Sequence, residues 1–126
     1  MIFPTEFIKR EPVFQHPEFG RTRPDFDAYT HQNFYGIDSY GRLYDREQAI
    51  TTASAMYTDP NYQGIHSWPE GTWELGKFQW HEIHDNAYLA TYILLTRNQM
   101  TRRTSIWQVT DNTWKIMFHQ ATPMQP

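Results

Sequence analysis

Cysteine is absent from the chain, which excludes disulfides and thiol catalysis and fits a reducing compartment. Leucine, isoleucine and valine are sparse, so the interior has to be filled by other side chains. A large excess of charge of either sign is missing too. A formal net charge of −3 leaves no strong basic field for nucleic acid and no acidic tail. No apolar window approaches the length of a membrane span. The opening MIFPTEFIKREP, broken by Pro4, Glu6 and Lys9, is not a signal peptide. There is no internal repeat, no low-complexity tract and no motif that asks for a cofactor. The expectation is a soluble, cytoplasmic protein without nucleic-acid or membrane partners.

What is present is aromatic. Five Trp, eight Tyr and eight Phe make up 17% of the chain, so the core relies on large flat side chains whose polar tips need partners. At 126 residues the chain forms one domain that buries roughly two-thirds of its unfolded surface.

The most informative stretch is RRTSIWQVTDNTWKIMFHQATP, Arg102 to Pro123. Asp111-Asn112 tolerates the positive φ angles of a two-residue hairpin turn, flanked by runs of β-branched and aromatic residues. Turning there pairs Val109 with Trp114, Trp107 with Ile116, Ser105 with Phe118 and Arg103 with Gln120 on one face. The other face carries Gln108 with Lys115, Ile106 with Met117 and Thr104 with His119. Trp107, Trp114, Ile116 and Phe118 are thus expected to form one buried wall against the helices.

Upstream, TEFIKREPVFQH predicts a short helix interrupted by Pro12. PDFDAYTHQNF reads as a helix with Pro24 in its first turn and Asp25 and Asp27 near its positive end, as helix-end charges rather than a catalytic pair. FYGID and RLY read as short strands joined by a glycine-containing turn. Asp45 then caps the helix DREQAITTASAMY, whose apolar stripe is Ala49, Ile50, Ala53 and Met56. Asn61 to Thr72 reads as a long loop, a candidate lid or rim, with a turn at Trp68-Pro69-Glu70-Gly71. TWELGKFQWHEIH alternates as a strand with Glu74, Gly76, Phe78 and Trp80 on one face. AYLATYILLT, apolar on both faces, reads as a central strand. Helices followed by a four-stranded antiparallel meander give an α+β class.

IWQVTDNTWKIMFHQATP resembles the ending of small bacterial domains of unknown function in the nuclear-transport-factor-2-like superfamily, relatives of SnoaL-like polyketide cyclases and ketosteroid isomerases. NFYGIDSYGRLYDREQAI is similar to the short hairpin and helix entry of the same family. The resemblance implies a cone-shaped roll, a strongly bent sheet wrapped around helices, often with an internal pocket and often dimerising through the sheet. It implies no single reaction, since one fold carries many activities. Members of this branch often carry an acid two residues after the hairpin Phe. Here that position, two after Phe34, is Gly36, and the nearest acid is Asp38, two residues further on.

An isomerase-like site in such a fold needs a carboxylate in a dry pocket and a donor for an enolate oxygen. Asp38 or His119 are the candidates for proton transfer, with Tyr44, Tyr92 or His119 as donors. An Asp beside a Tyr-Gly turn more often bonds its own backbone. The alternative is binding without turnover, by Arg103, Gln120, Tyr44, Tyr92 and Trp107, of a small organic anion. Of the adjacent His119 and Gln120 only one can face the pocket, and the turn register favours Gln120 beside Arg103 unless a β-bulge intervenes. A buried Arg103 needs an anionic partner. HEIH, with His81 and His84, lacks metal-ligand spacing, because on a strand the two rings diverge. A third reading is an interaction module with a filled pocket. Ile93, Leu95, Ile106 and Met117 form a second apolar face, which predicts a homodimer through the sheet.

Overall fold

A computed structural model describes residues 4–64, 72–97 and 99–125. Its elements are α1 (Pro4–Arg10), α2 (Arg23–Tyr29), β1 (Thr30–Ile37), β2 (Leu43–Asp45), α3 (Arg46–Thr58), β3 (Glu74–His84), β4 (Ala87–Leu95), β5 (Met100–Thr110) and β6 (Thr113–Pro123). The strands form one curled, open sheet in the order β2-β1-β6-β5-β4-β3, antiparallel except where β1 runs parallel to β6. The helices lie against one face. This is the α+β roll expected from the sequence.

Local chemistry accounts for the helix ends. Asp45 accepts the Gln48 N–H at 2.8 Å while the Gln48 side chain accepts the Asp45 N–H, a reciprocal cap on α3. Asp25 accepts the N–H groups of Arg21 and Thr22 and the Thr22 hydroxyl at the start of α2. Those bonds, the Arg21 N–H first, hold its carboxyl below the usual range. Asp27 pairs with Arg46 at 3.1 Å. Both acids therefore serve the helix layer, as expected.

The helix expected to run on to Phe34 stops at Tyr29. Thr30 takes an extended backbone, its hydroxyl donates to the Phe26 carbonyl, and the chain continues as β1 alongside β6. Pairing with a sheet edge outweighs the weak helical preference of Thr30 to Asn33. Most of the Asn61–Thr72 loop, with the Trp68 turn, lies outside the described residues.

Two bulges reset which residues face inward. The β5–β6 hairpin turns at Asp111-Asn112, both with positive φ, and pairs Val109 with Trp114 and Trp107 with Ile116 as expected. Then Met117 is accommodated as an extra residue. Ile106 pairs with Phe118, Ser105 with His119 and Thr104 with Gln120. Beyond Met117 every β6 side chain has changed face, so His119 points inward and Gln120 outward. In β3, Lys77 has φ 53° and the register shifts between Gly76 and Gln79. Phe78 and Trp80 remain inward, whereas Glu74 and Gly76 pair with Leu95 and Ile93 on the outer face.

Consequently the core differs from the expected wall. Phe7, Phe34, Tyr88, Trp107 and Ile116 are buried together, with Trp114 half-buried against them. The Arg10 guanidinium lies 4.2 Å from the Trp114 ring centre. Phe118 is half-buried on the outer face against Tyr35. Ile50 belongs to a second cluster with Phe26 and Ala53, joined to the first by Phe14 and Tyr29. The two residues flanking the bulge should therefore respond very differently to truncation. Ile116→Ala, at a fully buried site, should cost about 2–5 kcal/mol in urea unfolding. Phe118→Ala should cost roughly 1 kcal/mol. Equal losses would contradict the bulge.

Candidate functional site

The inward face of β5 presents Thr101, Arg103, Ser105 and Trp107, and the bulge adds His119 from β6 beside them. A cavity of about 440 Å³ opens between this part of the sheet and α3. Arg103 and His119 form its floor, Tyr44 one wall, Ala49 and Ala53 the helix side, and the Asp38–Arg42 pair its rim. Tyr62, from the described part of the long loop, also lines it.

Tyr44 is placed by a glycine. A Cβ added to Gly36 would overlap the Tyr44 ring and come within 2.8 Å of the His119 carbonyl oxygen. Only glycine lets the ring lie across β1 at this point. Burial pushes the Tyr44 hydroxyl up to about 12, so it enters the site as a neutral donor.

Beneath the floor lies a buried polar chain. The Arg103 Nη1 approaches His119 Nε2 at 3.3 Å, and His119 Nδ1 is 2.7 Å from the Ser105 hydroxyl oxygen. Arginine only donates, so Nε2 must accept and the ring proton sits on Nδ1, which donates to Ser105. The Ser105 hydroxyl acts to lower the pKa of both the Glu11 carboxyl and the Tyr92 phenol, against their burial. Glu11 is fully buried. It accepts the Tyr92 hydroxyl at 2.8 Å, the Trp107 indole N–H at 2.9 Å and the Val13 N–H at 3.2 Å. Burial raises its pKa despite these donors, and raises that of Tyr92 as well. Burial, followed by the Arg103 charge, lowers His119 to about 3, so the imidazole is neutral. Burial also lowers Arg103, against the opposing fields of Tyr92, Glu11 and Tyr44.

The residues singled out in the sequence thus divide. Arg103, His119 and Tyr44 meet at the cavity, with Asp38 at its rim. Gln120 does not: the Met117 bulge turns it to the outer face, correcting the register in which it paired with Arg103. Tyr92 and Trp107 are inward but spent on Glu11. Asp38 is not a desolvated base. Its Oδ1 accepts the N–H groups of Tyr40 and Arg42 and its Oδ2 the Arg42 Nε–H, all at 2.9–3.0 Å. Burial works to raise its pKa, but these bonds and the Arg42 charge outweigh it and hold the carboxyl below the usual range. His81 and His84 are exposed on β3, and no cluster of three potential metal ligands occurs among the described residues.

Glu11 was not identified from the sequence. In KREP it reads as one more charge breaking a short helix, and its partners lie 81 and 96 residues away. The available signal was a run of inward polar positions, Arg103 and Ser105 beside Trp107, which required something buried to bond to.

The two perturbed groups bias stability in opposite directions with pH. His119 binds a proton more readily unfolded. Its contribution should be complete above pH 6.5 and fall as pH drops towards 3, with a slope of up to about 1.4 kcal/mol per unit. Glu11 binds a proton more readily folded, so its contribution should decline as pH rises above 4.5. Urea unfolding at stepped pH should show the first slope alone in Glu11→Gln and the second alone in His119→Asn. Unchanged slopes in both variants would contradict the assignment.

No family model matches the sequence, and no curated protein matches it. Solved structures do. An NTF2-like protein from Cytophaga hutchinsonii aligns over 98% of this chain and 100% of its own, at 13% identity and a TM-score of 0.60. An NTF2-like protein of unknown function from Prochlorococcus aligns over 100% and 96%, at 18% identity and a TM-score of 0.61. A cystatin-like fold protein from Burkholderia xenovorans aligns over 97% and 89%, at 9% identity and a TM-score of 0.67. The α+β cone of the nuclear-transport-factor-2-like and cystatin-like proteins is the fold of this chain.

Proposed function

We propose that this protein binds a small organic anion in the cavity above Arg103, without chemical turnover and in a cytoplasmic setting. The observation that carries the reading is the charge of the wall. Arg42 and Arg103 against Asp38 leave a formal +1, with His119 neutral and Tyr44 protonated. Ala49, Ala53 and Met56 on the α3 side offer an apolar surface for the body of the ligand, leaving its charged end to the arginine side. Turnover is disfavoured by the same geometry. Both ring nitrogens of His119 are committed, one to Ser105 and one to Arg103, and Asp38 is tied into its own turn. A base needs a lone pair directed at the substrate, and neither group offers one.

Hexanoate is a suitable probe. It should bind the wild type, weaken as salt rises, and lose about ten- to a hundredfold in affinity in Arg103→Met, the range for a hydrogen bond to a charged group. Methionine avoids stranding a charge, so the fold should persist. Calorimetric titration showing equal affinity in both proteins would refute the site.

The same reading includes a second copy on the outer face of the sheet. Leu89, Ile93, Ile106 and Phe118 lie there half-buried, with Tyr35, Ile83 and Met100 more exposed. The described part of the N-terminal segment packs on the other face, where Phe7 and Val13 join the inner core. A two-fold axis offers this patch to its own copy. Sedimentation should find a dimer at micromolar concentration and a folded monomer for Ile106→Lys with Met117→Lys. A monomeric wild type would rule the pairing out.

A further inference from the structure

We infer that Phe14 is a specificity-determining partition that limits the length of ligand the cavity above Arg103 can take; this rests on the anion-binding reading. A second cavity, of about 390 Å³, lies between α2 and the β5–β6 turn, with Phe19, Tyr29, Trp107 and Trp114 among its walls. Val13 and Phe14 line both cavities, and are the only described residues to do so. They form a strap between an arginine-floored chamber and an aromatic-walled one.

The strap is held in place from both sides. The Val13 N–H donates to Glu11, the Gln15 N–H to the Pro12 carbonyl at 3.2 Å, and the Tyr57 hydroxyl to the Phe14 carbonyl at 2.8 Å. The Pro12–Gln15 bond closes a tight turn in which Phe14 is the third residue, with φ 71°. Glycine is the usual occupant of that position, because any Cβ is strained there and a bulky side chain most of all. The chain nonetheless carries phenylalanine. Its ring meets those of Phe26, Tyr29 and Phe34 at centroid distances of 5.6–6.0 Å. A backbone that favours glycine and a side chain that reaches three other rings point to a ring kept for what it blocks.

With the ring removed, the two chambers become one elongated space with a cationic end at Arg103 and an aromatic end at Trp107 and Trp114. The ligand class excluded by Phe14 is therefore a long-chain or aryl-extended carboxylate, and the class admitted is a short one.

The test is affinity against chain length, measured calorimetrically with straight-chain carboxylates from butanoate to dodecanoate and with the matching alcohols. The alcohols read the space without the anion. In the wild type, affinity should rise by on the order of fourfold per methylene until the first chamber is full, then stop rising. In Phe14→Gly the rise should continue to longer chains in both series. Phe14→Leu, which keeps an apolar side chain, should break at an intermediate length and serves in place of the glycine variant if that does not fold. A break at the same length in all three proteins, or no break in the wild type, overturns the partition. Carboxylates binding no better than alcohols, with no loss in Arg103→Met, would overturn the anion reading instead and leave the alcohol series to decide on Phe14.

Discussion

A carboxylate withdrawn from water costs several kcal/mol unless donors surround it, and Glu11 is withdrawn completely. Its donors come from three places in the chain: Val13 two residues on, Tyr92 in β4 and Trp107 in β5. Satisfying one side chain therefore pins the N-terminal segment to β4 and β5. The strap of Val13 and Phe14 inherits its position from that anchor, and so do both cavities that it separates. Removing the carboxylate would leave the Trp107 N–H, the Tyr92 hydroxyl and the Val13 N–H to find new acceptors in a closed interior. The inward row Arg103, Ser105 and His119 is the continuation of the same network, and it ends at the floor of the open cavity.

Much of the fold was legible in the sequence because the chain marks its turns. Asp111-Asn112 fixes a two-residue hairpin, Asp45 and Gln48 cap α3 reciprocally, and Asp85-Asn86 turns β3 into β4. What could not be read was the parity of the strands beyond a bulge. Alternation assigns each side chain to a face only while one residue opposes one, and both Met117 and the Lys77 region break that count. The Met117 site carries no glycine to mark it, whereas Gly76, directly before Lys77, is the kind of residue that often marks a bulge in a strand. The swap of Gln120 for His119, and the passage of Phe118 to the outer face, follow from one inserted residue. The early end of α2 has a different cause. Thr30 to Phe34 carry helical spacing, but the parallel edge of β6 was there to be paired, and no local pattern announces a non-local partner.

The candidate site was legible in proportion to how local its cause is. Asp38 was readable as a turn residue from Asp-Ser-Tyr-Gly alone, and its carboxylate is held by Tyr40 and Arg42. Arg103 was readable as an inward cation because it stands in an apolar strand face. Glu11 was not, since its burial is decided wholly by contacts across the fold. Tyr92 and Trp107 were read as ligand contacts, and in the structure their polar tips both donate to Glu11. A deep network serves them, and the cavity does not.

Glycine at position 36 shapes the character of the candidate site. Two residues after the hairpin residue Phe34 this chain has no side chain at all, and the Tyr44 ring occupies the space. A carboxylate there would stand on β1 beside His119, near Arg103, and would neutralise the floor. A phenol with its pKa at about 12 contributes a donor and no charge. Glycine at this position therefore leaves β1 without a general base there, and the wall keeps the formal +1 of Arg42 and Arg103 against Asp38, with Glu11 lying deeper. On the proposed reading, this one position in a short hairpin disfavours proton abstraction and favours holding an anion.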